Sequence, residues 1–185
     1  MRGRSRRERA DPRSPGAVPT LRLRPLDTVL AELSAFTLFG YWVDFVPSPD
    51  VTAVTTVHQV LRVGDRIMLS EATGQPQLLG GPVAPGEHPD GCATRFTDAA
   101  HLTLVGTAVP LGLHEPVRRF GQLPPTDGRP VFRVQWRSGR AVVADLEPPR
   151  VVRTLHPVPD ALELLREVNP LHALILEYDL HHRVG

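Results

Sequence analysis

Residues 36–46 read FTLFGYWVDFV, and this run limits the possible folds more than any other stretch of the chain. Phe36, Leu38 and Trp42 alternate with Phe39, Tyr41, Val43 and Phe45, so a strand here is apolar on both faces. Such a strand needs cover on both sides, which predicts a central place in a sheet. Residues 51–69 are rich in β-branched side chains and include VGDRI, where Gly64 and Asp65 can form a tight turn between two strands. Residues 102–109 read as a further strand. In VFRVQWRSGRAVVADL, Phe132, Val134 and Trp136 share a face, and a two-residue turn at Ser138 and Gly139 would set Trp136 opposite Ala141 and Val134 opposite Val143. Residues 151–155 form another short strand. At the end of the chain Leu174, Leu176, Tyr178 and Leu180 alternate with Ile175, Glu177 and Asp179, the pattern of a half-buried strand.

Two segments carry a helical period instead. Pro25 opens one, with Leu26, Val29, Leu30 and Leu33 on a single face. Residues 159–168 form the other, placing Leu162, Leu165 and Val168 inward and Asp160, Glu163 and Glu167 outward. Strands outnumber helices by about three to one, so the expectation is a mainly β (α+β) fold, a small barrel or sandwich with two short helices. Residues 71–98 are dominated by glycine, proline and small polar residues, as in LLGGPVAPGEHPDG. They show neither period and are expected to be a long loop, a length that in compact domains points to function or disorder. Residues 116–130 read as a second irregular connection, and no repeat of solenoid period is visible.

A chain of 185 residues with 41% hydrophobic content suits one domain around one core, assigned to residues 20–185. Its charge is unevenly placed. Eight of the 21 basic residues fall in the first 24 positions beside only Glu8 and Asp11, giving about +6 there against about −5 in the remainder. Residues 1–19 contain Pro12, Pro15, Pro19, Gly3 and Gly16 and no large apolar residue except Met1 and Val18. They are expected to form a flexible Arg/Pro-rich arm, provided that translation begins at Met1. Lysine is absent and Asn169 is the only asparagine, which fits codon pressure in a GC-rich, bacterial genome. Arginine placement therefore informs more than arginine identity.

Cys92, the single cysteine, excludes an intramolecular disulfide and fits a reducing cytoplasm. Arg6 and Arg7 are followed by a charged, proline-broken stretch where an export signal needs an apolar core. The longest uncharged stretch, residues 99–114, contains Gly106, Pro110 and Gly112 and falls short of the roughly 18 to 20 apolar residues that span a bilayer. A soluble, cytoplasmic chain is the expectation.

Candidate chemistry is sparse. His88 and Cys92 have the H-x3-C spacing of metal ligands, with His101 nearby, but a zinc site needs about four ligands and no second cysteine exists. No G-x-S-x-G elbow or Ser-x-x-Lys pair occurs, and Cys92 lies between Gly91 and Ala93 with no adjacent base. No lysine is present for a phosphate-binding loop, and Gly80-Gly81-Pro82 lacks the spacing of a dinucleotide turn. His181 and His182 stand beside Asp179, where a carboxylate could orient an imidazole. His172 reads as a hydrogen-bonded, partly buried residue. Glu177 and Asp179, about 7 Å apart on one strand face, read as a solvated edge rather than an acid–base pair.

No catalytic residue, cofactor or metal is therefore assigned, and the pattern leans away from an enzyme. The expected function is a non-catalytic binding or assembly module. Arg2, Arg4, Arg6, Arg7, Arg9 and Arg13 of the arm, with the acidic face of Asp160, Glu163 and Glu167, would associate with a protein partner or a second copy, without a membrane. One alternative is an RNA or single-stranded DNA-binding barrel, with the arm on phosphates and Phe39, Tyr41 and Phe45 as a stacking platform. The negative charge of the body opposes it. The other is a small enzyme or ligand-binding barrel with residues 71–98 as a lid over His88 or His101.

Overall fold

The computed structural model describes residues 21–38, 41–47, 53–71, 74–119, 132–144 and 149–183. In chain order the elements are α1 (Leu26–Leu33), β1 (Thr37–Leu38), β2 (Tyr41–Pro47), β3 (Thr56–Val63), β4 (Arg66–Ser70) and β5 (Gln77–Pro82). They continue with α2 (Pro89–Ala99), β6 (Leu102–Leu104), β7 (Val109–Arg119), β8 (Val134–Val143), β9 (Arg153–Pro157), α3 (Val158–Val168) and α4 (Pro170–Arg183). The strands form one curled sheet in the order β1-β2-β7-β8-β3-β5-β4-β9, with β6 pairing the end of β8. Its edges, β1 and β9, do not meet. The fold is α+β, and the expected small barrel or sandwich with two helices is corrected to an open half-barrel with four helices among the described residues.

At the centre β3 and β8 run parallel, in register from Thr56 opposite Val134 to Arg62 opposite Arg140. Every other described pairing is antiparallel. A parallel pair needs cover on both faces, and it has it. Val60 and Trp136 point to a core shared with α1, α3 and α4, whereas Val57 and Leu61 point to smaller clusters that include Cys92, Ala93 and Ala100 of the α2 region. The sheet is therefore the middle layer of three.

Several segments form as the sequence pattern predicts. α1 buries Val29 and Leu33, and α3 buries Leu162 and Leu165. Gly64, at φ +64°, turns β3 into β4 with Val63 opposite Arg66. Others differ, for identifiable reasons. Residues 36–46 do not make a central strand: β1 and β2 form the outer pair at one edge, and Trp42 and Asp44 face outward. Ser138 and Gly139 do not turn. β8 runs straight through them, and a Cβ on Gly139 would stand only 3.2 Å from Ala108, so glycine here serves close packing.

Residues 71–98 are not a loop but contain β5 and α2. The His88 side chain accepts the N–H of Asp90, Pro89 takes the first helical position, and the inward face is built from small residues, Cys92, Ala93 and Thr97. No leucine-type stripe marks this helix in the sequence. The expected C-terminal strand is likewise a helix, α4, with Leu171 through Leu180 all buried. A helix enclosed on every side has no polar stripe to reveal its period.

Candidate functional site

At the carboxyl ends of β3 and β8, Arg62 and Arg140 stand side by side, and α4 brings Arg183 of its last turn to them. The three line a cleft of about 480 Å³. An adjoining hollow of about 340 Å³ shares Arg140 and Arg183 and adds Ser138, Asp179 and His182. Asp179, 1% exposed, is the anion of this site. One of its oxygens accepts from Arg62 at 2.8 Å and the other from Arg183 at 3.1 Å, while Arg183 also donates to Ser138. Arg140 is exposed and makes no ion pair with a described residue. The Nε of Arg62 is buried with no hydrogen-bond partner among the described residues. Three guanidinium groups thus face one carboxylate, and the surplus positive charge suits an anion. Crevices outside the carboxyl ends of parallel strands are favoured ligand sites in open α/β sheets.

His182 supplies a titratable group at the same place. Its Nδ1 lies 3.1 Å from the carbonyl oxygen of Tyr178, which can only accept, so Nδ1 carries the proton. In the tautomer this bond selects, Nε2 holds the lone pair. That is the tautomer a general base requires.

The opposite face of the sheet carries its charge differently. Arg95 of α2 donates to both oxygens of Glu87 at 2.8 Å, and Glu87 accepts the N–H of Ala84. These bonds hold the Glu87 carboxyl down at about 2 and pin the turn before α2. Burial pushes the Cys92 thiol up, away from the thiolate a nucleophile needs. Beside the helix start, Asp90 pairs with Arg137 at 2.5 Å across a hollow of about 210 Å³.

Three histidines and a tryptophan fill the core between sheet and α4. The Trp136 indole N–H donates to His114 Nδ1 at 2.7 Å, and His114 Nε2–H donates to Leu33 O at 3.0 Å, fixing a neutral tautomer. His58 and His172 grip one residue of β5 between them: His58 Nδ1–H donates to Leu78 O, and Leu78 N–H donates to His172 Nδ1. Burial lowers His58 and His114 to about 4, and burial with the neighbouring His58 lowers His172 well below its ordinary value. These rings are structural and uncharged at neutral pH.

Arg2, Arg4, Arg6, Arg7, Arg9, Arg13 and Phe39 lie outside the described residues. Asp160, Glu163 and Glu167 are exposed on α3. Tyr41 and Phe45 are 9% and 5% exposed, and Phe45 packs edge-on against Tyr178, so these two members of the aromatic platform are core. Glu177 and Asp179 are not a solvated edge. Both are buried on α4, and Glu177 receives Arg24 at 2.7 Å and Arg166 at 3.1 Å. Burial pushes the Glu177 carboxyl up, but those hydrogen bonds outweigh it and leave the group lowered. Arg62, Arg140 and Arg183 were missed. The available signal was an arginine in the second half of each of two strand-forming runs and another at the end of the last helix, informative only once the strands are known to lie side by side.

No protein-family model matches the sequence, and no curated protein is detectably similar to it. Solved structures are similar in fold. A NUDIX hydrolase from Nitrosomonas europaea is 15% identical, with a TM-score of 0.53 over 71% of this chain and 91% of that one. A Bacillus subtilis pyrophosphohydrolase is 16% identical over 72% and 98% of the two chains, with a TM-score of 0.44. An ADP compounds hydrolase is 17% identical over 70% and 74%, with a TM-score of 0.47. The first of these shows the fold that this chain adopts. The likeness to hydrolases corrects the expectation of a non-catalytic protein-binding module, which rested on the basic arm, the acidic face of α3 and the lack of a recognisable catalytic motif. Of the two alternatives, neither the closed barrel nor the lid forms, since the sheet is open and residues 71–98 are built into sheet and helix.

Hydrolysis at phosphorus commonly enlists a divalent cation held by carboxylates. Among the described residues no group of three or more His, Cys, Asp or Glu side chains is placed to hold one. Glu87, Asp90, Glu177 and Asp179 are each engaged by arginine. This donor set does not fit a resident metal, and His88 and Cys92 serve as a helix cap and a buried core residue. No helix among the described residues is long and apolar enough to cross a membrane.

Proposed function

We propose that this chain is a hydrolase of small phosphorylated molecules and that the arginine cleft holds the phosphate. The observation that carries the reading is the excess of three guanidinium groups over one buried carboxylate at the carboxyl ends of β3 and β8. Arg140, free of internal ion pairs among the described residues, is the group most able to receive a ligand oxygen. Arg62 and Arg183 are held in place by Asp179 and are already oriented before the ligand arrives. Water attacks phosphorus, its proton passes to His182 Nε2, and the bond to the leaving oxygen breaks while the arginines stabilise the charge that develops. The fold supports the hydrolase class, and the cleft supports the phosphate.

The test is phosphate release from a panel of nucleoside diphosphates, sugar phosphates and alkyl diphosphates, with and without Mg²⁺. Turnover should drop at least tenfold in both His182→Gln and Arg140→Gln, with unchanged circular dichroism. Release from none of the panel, or release that neither substitution alters, would overturn the proposal.

A further inference from the structure

We infer that the molecule held in this cleft carries an aliphatic body attached to its phosphate, an inference that rests on the cleft reading above. The walls around the three arginines are not polar. Val105 and Val142, 56% and 50% exposed, line the cleft, and Val105 and Val109, the latter 55% exposed, line the adjoining hollow. Three of the seven large hydrophobic residues exposed among the described ones therefore cluster at this one place. Single exposed apolar side chains are ordinary, but a group of them rimming a concave site marks surface that a ligand covers.

The chemistry of the walls narrows the class. Among the described residues that line the cleft and hollow, His182 has the one aromatic ring on which a base could stack, and no side-chain amide is present to read one. Branched aliphatic side chains beside guanidinium groups match a phosphate or diphosphate ester of an aliphatic alcohol. In such a ligand the anionic head would reach Arg62, Arg140 and Arg183, and the hydrocarbon would lie on Val105, Val109 and Val142. The cleft and its hollow, about 480 and 340 Å³ with shared walls, leave room for both parts.

Titration calorimetry of the full chain with three probes separates this inference from the reading beneath it. Inorganic pyrophosphate tests the arginines alone, geranyl diphosphate below its critical micelle concentration tests head and body together, and ADP offers the same head on a polar, aromatic body. Geranyl diphosphate should bind at least tenfold more tightly than pyrophosphate or ADP. Val105→Ser with Val142→Ser should reduce that preference to twofold or less while the pyrophosphate affinity holds. If pyrophosphate binds and geranyl diphosphate gains nothing over it, or if ADP binds more tightly, the inference fails and the cleft reading stands. A gain that survives the valine substitutions also overturns it, because the hydrocarbon then lies elsewhere. If no probe binds, both readings fall.

Discussion

The two faces of the sheet treat polar groups in opposite ways. Toward α4 they are enclosed: Glu177 and Asp179 are 0% and 1% exposed, His114 is fully buried, and every one of them has a partner. Toward α2 the enclosed groups are mostly uncharged, with Gln59 and Thr97 beside Cys92 and Ala93; the guanidinium of Arg137 is paired to exposed Asp90, and Arg95 of the Glu87–Arg95 pair is exposed. Stability should therefore depend on charge state more on the first face than on the second. Arginines belonging to the first face also reach the cleft, so the network that fixes α4 to the sheet orients the candidate site as well.

Acid should expose this difference most strongly. His58 and His114 are lowered to about 4 by burial, whereas in the unfolded chain they titrate near 6.5. Between those values the unfolded state binds more protons, so the stability these groups contribute is present above about pH 6.5 and is lost as pH falls toward 4. Each contributes a slope approaching about 1.4 kcal/mol per pH unit. Denaturant midpoints measured from pH 7 to 4.5 should fall steeply. His58→Phe should flatten the slope, and Glu87→Gln should leave it unchanged above about pH 5.5, because a carboxyl lowered to about 2 loses its contribution only as pH falls through its ordinary value.

Removing one member of the buried network comes next. Arg24→Met leaves the Glu177 carboxylate enclosed with Arg166 as its remaining ion-pair partner. Breaking fully buried pairs costs about 3 to 5 kcal/mol, and because the Arg24 side chain is itself 35% exposed, a loss of about 2 to 3 kcal/mol is expected in equilibrium unfolding. The smallest effect belongs to the other face. Glu87→Gln keeps an acceptor for Ala84 and gives up a surface ion pair, so its thermal midpoint should match the wild type within experimental scatter. A large drop there would erase the contrast between the faces.

Local pattern was enough where an element has one wet and one dry side. α1, α3 and the turn at Gly64 are legible from Leu26, Val29 and Leu33, from Leu162 and Leu165, and from the glycine itself. α4 was not, because Leu171 to Leu180 is enclosed all round, and α2 was not, because Cys92, Ala93 and Thr97 make a buried face too small to stand out. Ser138 and Gly139 have the propensity of a turn. Pairing with β3 and β7 on either side overrides it, and no local window contains those neighbours. The same reason hid the candidate site. Arg62, Arg140 and Arg183 are far apart in sequence and meet only through a parallel pairing and the docking of a helix, while the charge asymmetry of residues 1–24 drew attention to an arm that lies mostly outside the described structure.

The central claim is that the arginines at the carboxyl ends of β3 and β8 form the phosphate site. Calorimetric titration of inorganic pyrophosphate into wild type, Arg140→Gln and Glu87→Gln tests it most directly, because Arg140 supports no internal ion pair among the described residues and its loss should leave the fold intact. The account predicts saturable binding that weakens as salt rises, at least tenfold lower affinity in Arg140→Gln and wild-type affinity in Glu87→Gln. Equal affinity in wild type and Arg140→Gln, or no binding to the wild type, would contradict it.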